Sequence, residues 1–394
     1  MDINILDTPE VRSFIHQHQD DEVGELILKS DRWPDLPIKS IAQQIQSRKK
    51  AKKKLPSWYA NDKVIFPPSD LLEQASSEAT ARFKSSIIGG KHLLDLTGGT
   101  AVDSFYLSGN FEKVTIVEPN PELIELAQHN FGVFGLPNVV FVNSKAEDFL
   151  NETDEQFDVV YIDPSRRKEG QRLMLIEDCL PNVIEIWDNL LQRSNSVFLK
   201  LSPLLDIHQS VDQLRGIERT WVIASRNECK ELLFEAGGSP DAMEVSAVNI
   251  LKEKSEAFSF KVEEETNAQP TYGDPNNFLY EPNVAILKSG AFKLISERFG
   301  LAKLEANTHL YTSVELMPGF PGRVFKIDRW AKFDWKSLKK MRSHKFNIVA
   351  RNFPHSVSQI RQRSGILEGG EDFVFFTRLR QNQLVQINCR RVQE

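Results

Sequence analysis

The sequence predicts an α/β protein: a mainly parallel, seven-stranded sheet wound with helices, a helical segment before it and a second, mixed α/β region after it. Three observations carry this reading. Seven short apolar runs alternate with amphipathic stretches between His92 and Val262: "HLLDLT", "KVTIVEP", "VVFVNS", "FDVVYIDP", "SVFLKLSP", "TWVIAS" and "AFSFKVE". That alternation is the pattern of βαβ units. The first run passes through an acid and two adjacent glycines into the start of a helix, "HLLDLTGGTAVDS" (92–104), a turn that brings backbone N–H groups close to a ligand. Residues 1–84, by contrast, show apolar positions at near-helical spacing and no strand-like alternation.

Taken in order, "IAQQIQS" and "LLEQASSEATARFKSSI" read as helices of the N-terminal segment, 1–84. The sheet domain spans 85–262. After its second strand, Asn120 reads as a helix N-cap and Pro121 as the first helical residue, with Leu123, Ile124, Ala127 and Phe131 as the inward stripe. "VEEETNAQPTYGDPNNF" (262–278) reads as a linker. The third region, 275–394, contains "FLYEPNVAIL", "PGRVFKI", "FNIVARN", "DFVFFTRL" and "LVQINCRRV".

Composition narrows the class. The chain has 394 residues, 40% of them hydrophobic, enough for a large core. Its three cysteines, Cys179, Cys229 and Cys389, are too few and too scattered for a disulfide framework or a zinc site, so no metal is expected. "MDINILDTPEVRSF" has no basic-then-apolar signal pattern, and no apolar run reaches membrane-spanning length. A soluble, cytoplasmic protein is the expectation.

Charge is uneven. Between Lys326 and Glu394 there are 15 Lys/Arg against 6 Asp/Glu, although the whole chain carries −6. A second basic run, "RKKAKKK", lies at 48–54. Either stretch alone reads equally as a solvated helix face, and the two together point to an anionic partner.

The glycine turn selects among nucleotide ligands. After Asp95 the chain reads Leu96, Thr97, Gly98, Gly99, Thr100, Ala101, which lacks both the GxGxxG of dinucleotide enzymes and the GxxxxGK[ST] of phosphate-binding loops. It is similar to the acid-x-x-x-Gly-x-Gly turn of class I methyltransferases, with Ala101 in the second glycine position. Glu118 ends the next strand 23 residues after Asp95, where a carboxylate accepts hydrogen bonds from ribose hydroxyls. "FDVVYIDPSRR" places Asp163 and Pro164 at the carboxyl end of the fourth strand, the sheet edge where ligands sit. The stretch resembles the Asp/Asn-Pro-Pro-aromatic signature of enzymes that methylate base nitrogens, with Ser165 and Arg166 in the last two places. There the carboxylate and the proline carbonyl accept the target N–H groups and orient the nitrogen for attack on the sulfonium methyl. Carbon-5 methylation needs a cysteine nucleophile, which "KLSPLLD" lacks, and Cys229 reads as a small buried residue.

With "EQASSEATARF", "LDLTGGTAVDS", "DPSRR", "NECKELL", "FPGRVFKI" and "FPHSVSQIRQRSGI", the chain resembles the bacterial class I methyltransferases that carry a THUMP-like domain, here placed after the methyltransferase domain. The resemblance implies a Rossmann-like fold and S-adenosylmethionine as cofactor. It implies Asp95, Gly98, Gly99 and Thr100 around the methionine end, Glu118 at the ribose, and Ala146 and Glu147 at the adenine. On the acceptor side it implies Asp163, Pro164 and Arg166. It also implies RNA, in particular tRNA, as partner; Lys339, Lys340, Arg361 and Arg363 of the basic region are the candidate backbone contacts. Two other readings stay open: methylation of a small molecule or protein, and a non-catalytic module that binds the cofactor or RNA.

Overall fold

In a computed structural model describing residues 2–165, 167–168, 171–172, 176–238, 243–252 and 254–392, the chain forms two compact units. One comprises Met1–Glu218 and Leu232–Pro240, the other Arg219–Glu231 and Asp241–Glu394. The helical residues 1–84 belong to the first unit, together with most of the sheet.

All seven expected runs are strands. They include β1 (His92–Asp95), β2 (Lys113–Val117), β3 (Val139–Val142), β4 (Phe157–Ile162), β5 (Ser194–Leu201) and β6 (Ile217–Ser225). Two strands not singled out above add to them, β7 (Glu228–Ala236) and β8 (Glu244–Ile250), followed by β9 (Ser255–Lys261). In the first unit the ladder runs β7-β5-β4-β1-β2-β3, with β7 antiparallel to β5 and every other pair parallel. Leu93, Leu94, Val114, Val160, Ile162, Val197 and Leu199 are buried, as expected for strands covered on both faces.

The intervening helices place their own ends. In α1 (Glu78–Ile87) the Ser77 hydroxyl accepts from Thr80 N–H. α2 (Val102–Leu107) follows the glycine turn. In α3 (Pro121–Val133) Asn120 caps the helix and Pro121 occupies the first turn, as expected. Its buried face is Ile124, Leu126, Ala127, Asn130 and Phe131, with Leu123 only half-buried. Asn130 lies in that apolar stripe because its amide pairs both ways with the Ile65 backbone, at 3.0 and 2.8 Å. α4 (Ala146–Glu152) follows β3.

In the second unit β8 pairs parallel to β6 and antiparallel to β9. The segment read as a linker is ordered at its start: Val262–Asn267 is helical, and Glu265 accepts from the N–H groups of Phe292, Lys293 and Leu294. Beyond it lie β10 (Phe278–Pro282), β11 (Ala302–Glu305), β12 (Thr308–Ser313), β13 (Gly322–Lys332), β14 (Asn347–Ala350), β15 (Asp372–Arg378) and β16 (Leu384–Arg391). They form one sheet in the order β11-β12-β10-β13-β16-β15-β14. Helices α5 (Trp335–Lys339) and α6 (Val357–Ser364) belong to the same unit, and their Leu338 and Ile360 are buried with Val374 and Phe376 of β15.

Candidate active site

The glycine turn is held from beneath. Asp95, 2% exposed, points into the turn rather than outward: one oxygen accepts from Thr97 N–H at 2.9 Å and the other from the Ser104 hydroxyl. Burial pushes its carboxyl up to about 7, against those hydrogen bonds. Asp95 therefore shapes the turn from within. Gly98 is required by packing, since a Cβ there would lie 2.6 Å from the Ile116 side chain. Gly99 has φ +51° and donates its N–H to Glu118 Oε2 at 2.7 Å. Ala101, in the second glycine position, has φ +54°, the left-handed conformation that glycine adopts without steric cost. The backbone here is the one a glycine would give. Thr100 is half-buried beside it.

Glu118 is 9% exposed, and its other oxygen accepts from Asn120 N–H at 2.9 Å. The loop after β3 is tied to the same point, because the Asn143 amide donates to the carbonyls of Glu118 and Pro119 at 2.9 and 3.0 Å. This brings Ala146, buried, and Glu147, half-buried, to the start of α4 on the neighbouring loop.

At the end of β4, Asp163 N–H donates to the Thr97 hydroxyl at 2.7 Å. Asp95, Thr97 and Asp163 thus form one chain of contacts linking the glycine turn to the carboxyl end of β4. Pro164 is buried and Ser165 exposed; Ser165 pairs through its backbone with Leu180. Arg166 lies outside the described residues. The side chain of Asp163 is 38% exposed, and its Oδ2 lies 2.6 Å from Lys200 Nζ.

Lys200 is a functional candidate missed in the sequence. It sits near the end of β5, 7% exposed, and its ammonium also reaches Ser76 at 3.0 Å and Asp103 at 3.2 Å. The fully buried Lys84 lies 3.1 Å from the other oxygen of Asp103, and Tyr161 donates to Asp103 at 2.7 Å. Burial alone would raise the Asp103 carboxyl, but the Lys200 and Lys84 ammonium groups outweigh it and hold it well below the usual carboxylate range. Two cations and two anions are thereby paired at and behind the edge. A lysine inside the apolar run "VFLKLSP" was the available signal for Lys200.

Cys229 is half-buried and its thiol is pushed up to about 11 by burial, unlike an activated nucleophile. The basic run 48–54 is largely committed to its own unit. Arg48 pairs with Asp62 at 3.0 Å, Lys49 donates to the Asp21 carbonyl, Lys50 pairs with Glu73 at 2.6 Å and Lys54 donates to the Glu73 carbonyl. In the C-terminal region Lys339 and Lys340 are exposed, and Arg363 is exposed with its guanidinium 4.1 Å from the Trp335 ring centroid. Arg361 differs: it is half-buried and donates to the carbonyls of Ile366 and Phe346, a packing role. Among the described residues no helix is long and apolar enough to cross a membrane.

The chain is similar to known proteins over most of its length. Residues 69–214 match a family described as Conserved hypothetical protein 95, residues 278–321 a ferredoxin-like domain, and residues 322–391 a THUMP domain-like module. The third region is thus matched in two parts. A crystal structure from Porphyromonas gingivalis W83, assigned as a methyltransferase, is 30% identical with a TM-score of 0.88, covering 99% of this chain and 98% of that one. An uncharacterized S-adenosylmethionine-dependent methyltransferase of Mycobacterium tuberculosis is 22% identical over 274 residues, 70% of this chain and 72% of that protein.

Proposed function

We propose, from the premise that this chain belongs to the class I S-adenosylmethionine-dependent methyltransferases with a C-terminal THUMP-like domain, that it methylates a base nitrogen of a cytoplasmic, tRNA-like RNA. Methyl transfer from S-adenosylmethionine is its reaction class. The observation that carries the finer reading is the position of Asp163: its backbone is tied to the glycine turn through Thr97, while its carboxylate is partly exposed at the sheet edge.

The donor side fits the cofactor. Each oxygen of Glu118 has one backbone N–H partner, and a carboxylate oxygen has room for a second, so the group is oriented and still able to accept two ribose hydroxyls. Gly99 and Thr100 would face the methionine end, with Asp95 and Gly98 setting the turn's shape; Ala146 and Glu147 would flank the adenine. When bound, the cofactor supplies an electrophilic sulfonium methyl. On the acceptor side, the Asp163 carboxylate and Pro164 carbonyl accept the base N–H groups, which aligns the nitrogen lone pair with the methyl carbon. Arg166 remains the stacking candidate carried by the DPSRR resemblance. Lys339, Lys340 and Arg363 are the exposed cations offered to the RNA backbone.

One observation favours a second acceptor. An ammonium 2.6 Å from Asp163 opposes the positive charge that grows on a nitrogen as it is methylated, and favours the negative charge that grows on a hydroxyl as it loses its proton. Under this reading the acceptor is an RNA hydroxyl.

The test is transfer of labelled methyl to total RNA, protein and small metabolites in parallel, followed by mass spectrometry of nucleosides. Label in a base supports the first reading and label in a ribose the second; label confined to protein or metabolites overturns both. Asp163→Ala should lower turnover about a hundredfold or more, with cofactor and RNA affinity nearly intact. Normal turnover would remove Asp163 from the site.

A further inference from the structure

The sheet of the second unit carries a groove of which the proposed function uses only Lys340, at its rim. Its floor comes from two antiparallel neighbours: Arg329 of β13 lies opposite Asn388 of β16, and Ala331 opposite Gln386. Directly opposed residues share a sheet face, so the two amides stand side by side with Arg329 beside them. Helix α5 and the turn after it form a wall, through Ser337, Lys340 and His344 among others. The groove encloses about 510 Å³, within the range of sites for small organic ligands.

The floor is chemically unfinished. Gln386 and Asn388 are 7% and 8% exposed, and neither side-chain oxygen has a hydrogen-bond partner. Buried polar atoms are ordinarily paired, because water that has been removed must be replaced by another donor. What remains exposed of both residues lines the groove. The rim is cationic: Arg329, Lys332 and Lys340 are exposed, while the nearby Asp334 carboxylate is engaged by Ser337 N–H at 3.0 Å.

We infer that this groove takes one unpaired nucleotide of the RNA substrate, its base edge on Gln386 and Asn388 and its phosphate on Arg329 and Lys340. An amide side chain carries both donor and acceptor functions, the pair that base edges match. The cationic rim supplies charge-assisted bonds to phosphate. The inference rests on the RNA reading for its ligand, and on the groove alone for its place.

The experiment uses the full chain with its cofactor site saturated by S-adenosylhomocysteine, so that adenosine binding there does not interfere. Calorimetry with the four nucleoside 5′-monophosphates and with unstructured RNA hexamers should show a site that Gln386→Leu and Asn388→Leu each weaken tenfold or more. Folding should survive both changes, because leucine buries no polar atom; thermal unfolding checks this. Arg329→Gln with Lys340→Gln should flatten the salt dependence of hexamer binding by roughly 0.7 per lost contact. If RNA is bound and methylated but the leucine variants bind it as the parent does, the groove assignment falls and the RNA reading stands. If monophosphates bind and the leucine variants lose them while RNA receives no methyl, the groove stands as a nucleotide site and the RNA reading falls.

Discussion

Replacing Asp95 with asparagine tests whether the acid beneath the glycine turn is a neutral carboxyl at mildly acidic pH. Burial pushes it from 3.8 up to about 7, with the Ser104 and Thr97 hydrogen bonds opposing. A carboxyl that titrates higher in the folded chain binds more protons there than when unfolded. Its effect is therefore a stability that is greatest below about pH 4, falls as pH rises toward 7 and is level above it. Over a span of about three pH units, at about 1.4 kcal/mol each, the loss is about 4 kcal/mol. Asparagine preserves the geometry, since its oxygen can accept from Thr97 N–H and its amide can donate to the Ser104 hydroxyl, but it does not titrate. Native-state hydrogen exchange of the β1 and β4 amides, corrected for intrinsic rates, reads the opening free energy of this sheet. Between pH 5 and 8.5 the parent should lose about 3 kcal/mol relative to Asp95→Asn. Parallel pH profiles for the two proteins would refute the assignment of a raised carboxyl to this position.

Two further changes separate donor from acceptor side. Glu118→Ala should weaken S-adenosylmethionine about a hundredfold by calorimetry, from two lost hydrogen bonds to a charged group; unchanged affinity would remove Glu118 from the ribose site. Lys200→Met should cost about 2 kcal/mol, less than the 3–5 of a fully buried broken pair, because Lys84, Tyr161 and Ser76 still contact Asp103 and Asp163 is open to water. Since the Asp103 carboxyl is held low, that difference should be present above about pH 4 and shrink as pH falls below it. Urea unfolding at pH 3 and pH 7 checks the sign, and an equal cost at both would contradict it.

The parallel strands were legible because burial on both faces leaves near-continuous apolar runs, as in "VTIV" and "VVYI". β7 was not. "ECKELLFEA" alternates charge with apolar residues in a way that also suits a helix, and its assignment as a strand depends on pairing with β5, whose partners Val197–Leu201 precede it by more than thirty residues. The stretch 262–278 failed as a linker for a similar reason. Three acids in its first turn suit a helix N-terminus, and Glu265 finds its N–H partners near residue 293. Local composition cannot display a partner that distant.

The site divides along the same line. The turn and Glu118 were readable from spacing because a strand, a turn and the next strand fix their relative positions locally. Lys200 was not, because the groups that stabilise it come from Ser76, Asp103 and Asp163, on three separate segments. Yet a lysine within "VFLKLSP" already implies a partner, since an ammonium among residues buried on both sides is stable only when paired. The nearest carboxylate in a parallel sheet is the one at the end of the adjacent strand, and β4 supplies Asp163 there. The basic run at 48–54 shows the converse: its lysines end a helix, where the last carbonyls and nearby acids attract them, so a dense run of charge needed no external partner. Isolated charge in an apolar strand is therefore the stronger pointer to chemistry in this chain, and it directs attention to Lys200 ahead of the lysine-rich helix.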